Sequence, residues 1–79
     1  MAANRTVYHV GPNATRDRWI VSREGDETFR EEFRTKEDAV SAAKARARRE
    51  EPAQVKVHDS RGNMDYERTY GADPRRTPG

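Results

Sequence analysis

The chain holds one segment that reads as a helix, and the face it offers a core is almost without bulk. Thr35 opens the segment with a hydroxyl able to cap the first turn. Asp38 completes a box-like start, and Glu37 sits near the positive end of the helix dipole. The apolar positions that follow are Ala39, Val40, Ala43 and Ala47, one stripe at helical spacing. Arg46, Arg48 and Arg49 suit the negative end, and Pro52 prevents continuation. An alanine stripe can approach a second layer closely but brings little volume to it. The bulk of any core must come from strands.

Those strands are legible. Val7-Tyr8-His9-Val10 forms a short one, stopped by Gly11-Pro12-Asn13, where Pro removes a donor and Gly frees the backbone. Arg18 to Arg23, with Trp19, Ile20 and Val21, is rich in β-branched and aromatic residues. Glu24-Gly25-Asp26 turns the chain into Thr28 to Phe33. There Phe29 and Phe33 share a face with Glu31 between them, which an edge position or a bulge reconciles. After the helix come Gln54 to His58, with Val55 and Val57 inward, and Met64 to Thr69 beyond the Ser60-Arg61-Gly62-Asn63 turn. The order is β-β-β-α-β-β. It predicts an α+β fold in which one helix packs on one face of an antiparallel sheet. Trp19, Val21, Phe33, Val55 and Val57 are the expected bulk, with Trp19 buried against Ala43 or Ala47. The domain spans residues 6–70, between a flexible N-terminus at 1–5 and a tail at 71–79 carrying Arg75 and Arg76.

Size and composition set how much core there can be. Of 79 residues, 32% are hydrophobic and 38% charged, with a mean hydropathy of −1.29. Such a composition borders on that of disordered chains, but the net charge is only +2 and the apolar residues keep strand or helix periodicity. A chain this short leaves a thin stability margin, and without cysteine it has no disulfide or thiolate metal site to add to it. Small domains in this position often gain burial by self-association. No stretch approaches the ~20 apolar residues of a membrane span, so no membrane partner is expected and the cytoplasm is the default location.

Several of these segments, taken together, resemble a known family. They are Tyr8-His9-Val10 with Pro12-Asn13, Trp19-Ile20-Val21, and the run from Phe33 to Val40. Val57-His58, the Arg61-Gly62 turn and Tyr70-Gly71-Ala72-Asp73-Pro74 continue the likeness. The chain is similar, over about residues 7–75, to a family of small bacterial proteins catalogued as domain of unknown function 2188. Glu31-Glu32 before Phe33 departs from the family pattern, where a more apolar residue is expected. The resemblance implies a shared fold and carries no catalytic or binding residues.

The residues offer little catalytic chemistry. Glu31-Glu32, Glu37-Asp38 and Glu50-Glu51 are adjacent pairs, which point to opposite faces of a strand or lie about 100° apart on a helix. Ser22, Ser41 and Ser60 stand in no nucleophile elbow, and there is no phosphate loop or dinucleotide fingerprint. His9 and His58 lie on different strands and, if Tyr8 and Val10 face inward, share the helix-free face. A metal there would need a third ligand such as Asp59 or Asp65. The sequence assigns no catalytic, cofactor or metal residue, and the chain reads as a non-catalytic interaction module.

Two kinds of partner remain. The pI of 9.3 and the 13 arginines point to anions, and the alternative reading is a basic, sequence-indifferent nucleic-acid-binding protein. Candidate phosphate contacts are Arg18, Arg30, Lys56 and His58 around Ile20 on the helix-free face, and Arg46, Arg48 and Arg49 at the helix end. Asp65, Glu67 and Glu32 dilute that face, and it lacks the stacking aromatics of sheet-type RNA readers. The leading expectation is instead a homodimer, formed through the open sheet face at Ile20 or through an edge strand.

Overall fold

A computed structural model describes residues 5–71. The expected flexible N-terminus, apart from Arg5, and the tail beyond Gly71, with Arg75 and Arg76, lie outside the described residues. Five strands and one helix follow in the expected order: β1 (Thr6–Pro12), β2 (Trp19–Arg23), β3 (Asp26–Phe33), α1 (Lys36–Arg49), β4 (Ala53–His58) and β5 (Met64–Tyr70). They form one sheet in the spatial order β3-β2-β1-β4-β5.

The fold is α+β, but the sheet is mixed rather than antiparallel. β1 and β2, β2 and β3, and β4 and β5 pair antiparallel, whereas β1 and β4 pair parallel, with Tyr8 opposite Val55 and Val10 opposite Val57. The cause is the crossover. Two hairpins return β3 to the direction of β1. One helix then carries the chain back over the sheet, so β4 runs as β3 did and meets β1 parallel. A helical crossover of this kind is what joins strands of like direction.

α1 begins where the sequence places it. Thr35 is extended at the N-cap, and its Oγ1 accepts the backbone N–H of Asp38 at 3.1 Å. Ala39, Ala43 and Ala47 are fully buried. With no side chain beyond Cβ, the helix lies directly over β1, with β2 and β4 to either side. The bulk beneath it is Tyr8, Val10, Val21, Val55 and Val57, all fully buried. Trp19 and Phe33 are register partners at the far end of β2 and β3 and are only partly buried. The Trp19 ring packs against the core with the Lys36 ammonium over it (5.5 Å) at the start of α1, and it is only partly buried where large burial is expected. Its place at the first residue of β2 puts it beside the first helical turn, and Tyr8 fills the centre.

β3 occupies one edge of the sheet, the first of the two devices expected to accommodate Glu31; its register with β2 slips only beyond Arg30, between Ser22 and Arg23, and is regular at Glu31. Glu31 faces the helix side opposite Val21, where Arg46 meets it at 2.7 Å. β5 occupies the other edge. It is exposed at every residue except Tyr70, which is half-buried.

Candidate functional site

Three surfaces carry grouped chemistry. The first is a polar seam on the helix side of β3. The Tyr8 hydroxyl donates to Glu50 Oε1 at 2.6 Å and accepts from Arg23 Nη2 at 3.1 Å. Arg23 also reaches Asp26 and Glu50 at 3.4 and 3.8 Å. The guanidinium carbons of Arg23 and Arg46 lie 4.9 and 4.7 Å from the Phe29 ring centre. Burial, followed by the bond to Glu50, raises the Tyr8 hydroxyl above its ordinary pKa. The bond to Glu31 raises Arg46, and the Thr28 hydroxyl and backbone N–H lower Asp26. Every charge in this seam has an opposite neighbour. The seam closes the open end of the helix–sheet sandwich.

The second surface is the helix-free face. An open trough of about 480 Å³ is lined there by His9, Gly11, Ile20, Ser22, Arg30 and His58, with the Asn13-Ala14 turn at its rim. Ile20 lies on this face as expected but is only 9% exposed. His9 and His58 do share the face. His9 Nδ1 and His58 Nε2 are 3.2 Å apart, and His9 Nε2 stands 2.8 Å from Glu24 Oε1. A carboxylate can only accept, so His9 Nε2 carries the hydrogen, and in the neutral ring Nδ1 offers a lone pair to the N–H of His58. The hydrogen bond from His9 lowers Glu24 below its ordinary value. Neither Asp named as a third ligand stands with the pair. Asp59 accepts the backbone N–H groups of Arg61 and Asn63 in the β4–β5 turn, which lowers its pKa, and Asp65 pairs with Lys36 at 2.8 Å.

The basic candidates for phosphate contact are not brought into one patch. Arg30 stands 3.6 Å from Glu32. Lys56 is the register partner of Glu67, and His58 is held by His9. Arg46 points to Glu31 on the opposite side of the sheet, and Arg48 lies over Tyr70 at 6.0 Å. Arg18, in the β1–β2 turn, and Arg49, near the helix end, are exposed and have no ion pair among the described residues. Charges of both signs alternate across the face.

The third surface was not singled out by sequence: the helix side of β5. α1 packs mainly on β1, β2 and β4, and among the described residues its long basic side chains reach across to β5. Lys36 bonds Asp65, Lys44 stands over the Tyr66 ring at 5.9 Å, and Arg48 over Tyr70. Tyr66 stays 38% exposed on this side, while Met64, the register partner of His58, is 51% exposed on the other. Between Tyr66 and the Lys36–Lys44 stretch of the helix lies an open groove of about 490 Å³, with Val40 and Ser41 in its wall. The strand pattern was visible in the sequence, but how far one helix reaches across five strands was not.

The architecture defines a small one-helix α+β domain in which, among the described residues, one sheet face is uncovered and both sheet edges are unpaired. Within that class the chain belongs to the bacterial family described as an uncharacterized protein conserved in bacteria (DUF2188), which matches residues 8–70. No curated protein and no solved structure matches it. Among the described residues, no helix is long and apolar enough to cross a membrane.

Proposed function

We propose that this protein is a non-catalytic interaction module that self-associates as a homodimer through the edge of β5. The observation that carries the reading is that β5 is a regular seven-residue strand exposed along nearly its whole length. Among the described residues its one ladder is to β4, and its other edge is unpaired. A second copy of β5 would supply a second ladder and cover Tyr66.

The two edges differ in what guards them. On its helix side, β3 is closed by the Arg23–Phe29–Arg46 stack and the Glu31 ion pair. Among the described residues, β5 has the ends of lysine and arginine side chains over it. Antiparallel pairing about a two-fold axis at Glu67 sets Tyr66 of each copy opposite Arg68 of the other, on the helix side. Aromatic–guanidinium pairs of this kind are favourable. The two Glu67 carboxylates then approach each other, and Lys56, the register partner of Glu67, stands beside them with the opposite charge.

Light scattering at micromolar concentration tests this. The expected mass is near twice the 9.1 kDa of the chain. Tyr66→Asp, on an exposed side chain, is expected to return the protein to monomer without unfolding it. A monodisperse monomer for the parent chain overturns the reading.

A further inference from the structure

We infer that His9 and His58 form a binding site for a divalent transition-metal ion of the zinc or copper type, with positions left open toward the trough on the helix-free face. The inference does not depend on the homodimer reading.

The two imidazoles stand on neighbouring parallel strands, β1 and β4, in the middle of the sheet, where the backbone is held on both sides. Their facing nitrogens are 3.2 Å apart, while the ring centres are 5.5 Å apart and the planes 25° from parallel. The rings therefore meet end to end. A metal bound to two imidazole nitrogens at about 2.0–2.1 Å, near the tetrahedral angle, holds those nitrogens about 3.3 Å apart. The spacing already present is that of two neighbouring ligands of one ion. Binding requires the rings to turn about their Cβ–Cγ bonds so that both lone pairs meet at one ion.

The tautomers suit this. Glu24 fixes the hydrogen of His9 on Nε2, which leaves Nδ1 as the ligating atom. A carboxylate on the far nitrogen of a histidine is the usual outer-shell partner of a metal-bound imidazole, orienting the ring and raising its basicity. On His58 the hydrogen shifts from Nε2 to Nδ1 when the metal takes Nε2, so no proton need leave. His58 Nδ1 is buried and has no hydrogen-bond partner among the described residues, of which His9 alone bonds the ring.

No group of three His, Cys, Asp or Glu side chains among the described residues could complete a protein-only site. The other coordination positions fall to water or to a donor from a molecule lying in the trough, as in sites where a metal keeps exchangeable positions. Imidazole ligands without thiolate favour Zn²⁺, Cu²⁺ or Ni²⁺ over Mg²⁺ or Ca²⁺.

Calorimetric titration of the full chain with Zn²⁺ and with Ni²⁺ tests this, with NMR of the histidine ring protons on the same samples. One ion per chain is expected, with shifts at both His9 and His58. His9→Gln and His58→Gln should each abolish the binding, and Glu24→Gln should weaken it about 10–100-fold. Both histidines are partly exposed, and circular dichroism reports whether each variant keeps its fold. Absence of binding by the parent chain, or an affinity unchanged in either folded histidine variant, overturns the assignment. So do zinc-induced shifts that leave either ring unaffected in the parent chain, a result that needs no variant.

Discussion

Glu31 Oε2 and Arg46 Nη2 meet at 2.7 Å across the helix–sheet interface, on the side of β3 that also carries Phe29 and Phe33. A carboxylate among residues facing the core is thereby neutralised, and the guanidinium that does so also lies against the Phe29 ring. Both side chains are about one-third exposed, so solvent screens the pair. A double-mutant cycle with Glu31→Gln and Arg46→Gln is expected to give a coupling below about 1 kcal/mol. Arg46→Ala is expected to cost more than Arg46→Gln, because it also removes the stem that packs on Phe29. Equal losses for the two substitutions would show that only the charge matters.

The alanine stripe sets how closely α1 approaches β1. Ala43 is fully buried, so Ala43→Leu forces extra methylenes into the layer above Tyr8 and Val10. The expected destabilisation is roughly 1–3 kcal/mol, read as a lower urea midpoint with an unchanged slope. A midpoint that does not move would show that helix and sheet can separate without cost.

This stripe was the part of the fold most open to reading from the chain, because capping, periodicity and termination agreed from Thr35 to Arg49. The parallel pairing of β1 with β4 was hidden. Strand periodicity records which side chains share a face, and it is blind to which strand lies next door. Placing Trp19 failed for a related reason. Its size argues for the centre, but its position at the start of β2 puts it at the rim beside Lys36. In the candidate sites, alternation around Tyr8 and Val10 was enough to put His9 and His58 on one face. Their approach to 3.2 Å needed the β1–β4 register. Glu24, in a turn, gave no periodic signal.

Gly71 follows β5 with φ at +70°, and a Cβ built there would lie 2.5 Å from Glu51 Cβ and 3.0 Å from Pro52 Cα. Both the backbone conformation and the contact exclude a side chain, since neither neighbouring atom is the end of a flexible chain. Gly71→Ala is expected to cost more than about 1 kcal/mol, whereas Gly62→Ala, where a Cβ meets nothing within 4 Å, carries only the conformational cost. Equal thermal midpoints for the two variants would contradict the close approach of β5's end to the start of β4.

The Tyr8 hydroxyl has its pKa raised by burial and by Glu50. Between the unfolded and the folded value, the unfolded chain loses the proton and the folded one keeps it, so stability falls as pH rises. The contribution is complete below the unfolded value near 10 and is lost as pH climbs toward the folded value. Tyr8→Phe is expected to lower stability at neutral pH, through loss of the bonds to Glu50 and Arg23, and to flatten the decline above pH ~10. Urea unfolding at several alkaline pH values checks this. A decline of the same steepness in Tyr8→Phe would assign it to other groups.

Self-association through β5 predicts more than a mass. Unfolding would be linked to dissociation, so the thermal midpoint should rise with protein concentration over a hundredfold range. The two routes to a dimer then separate by substitution. Ile20 is almost wholly covered on the helix-free face, so Ile20→Ala should lower the midpoint by a similar amount at every concentration, as a core truncation does. Tyr66→Asp should instead abolish the concentration dependence, because Tyr66 adds little to the core and lies on the edge that a second copy would cover. Charge at Ser22, in the middle of the helix-free face, serves as the opposite control, and Ser22→Glu should leave the concentration dependence intact. If Ser22→Glu removes it and Tyr66→Asp does not, the second copy sits on the trough face rather than on the β5 edge.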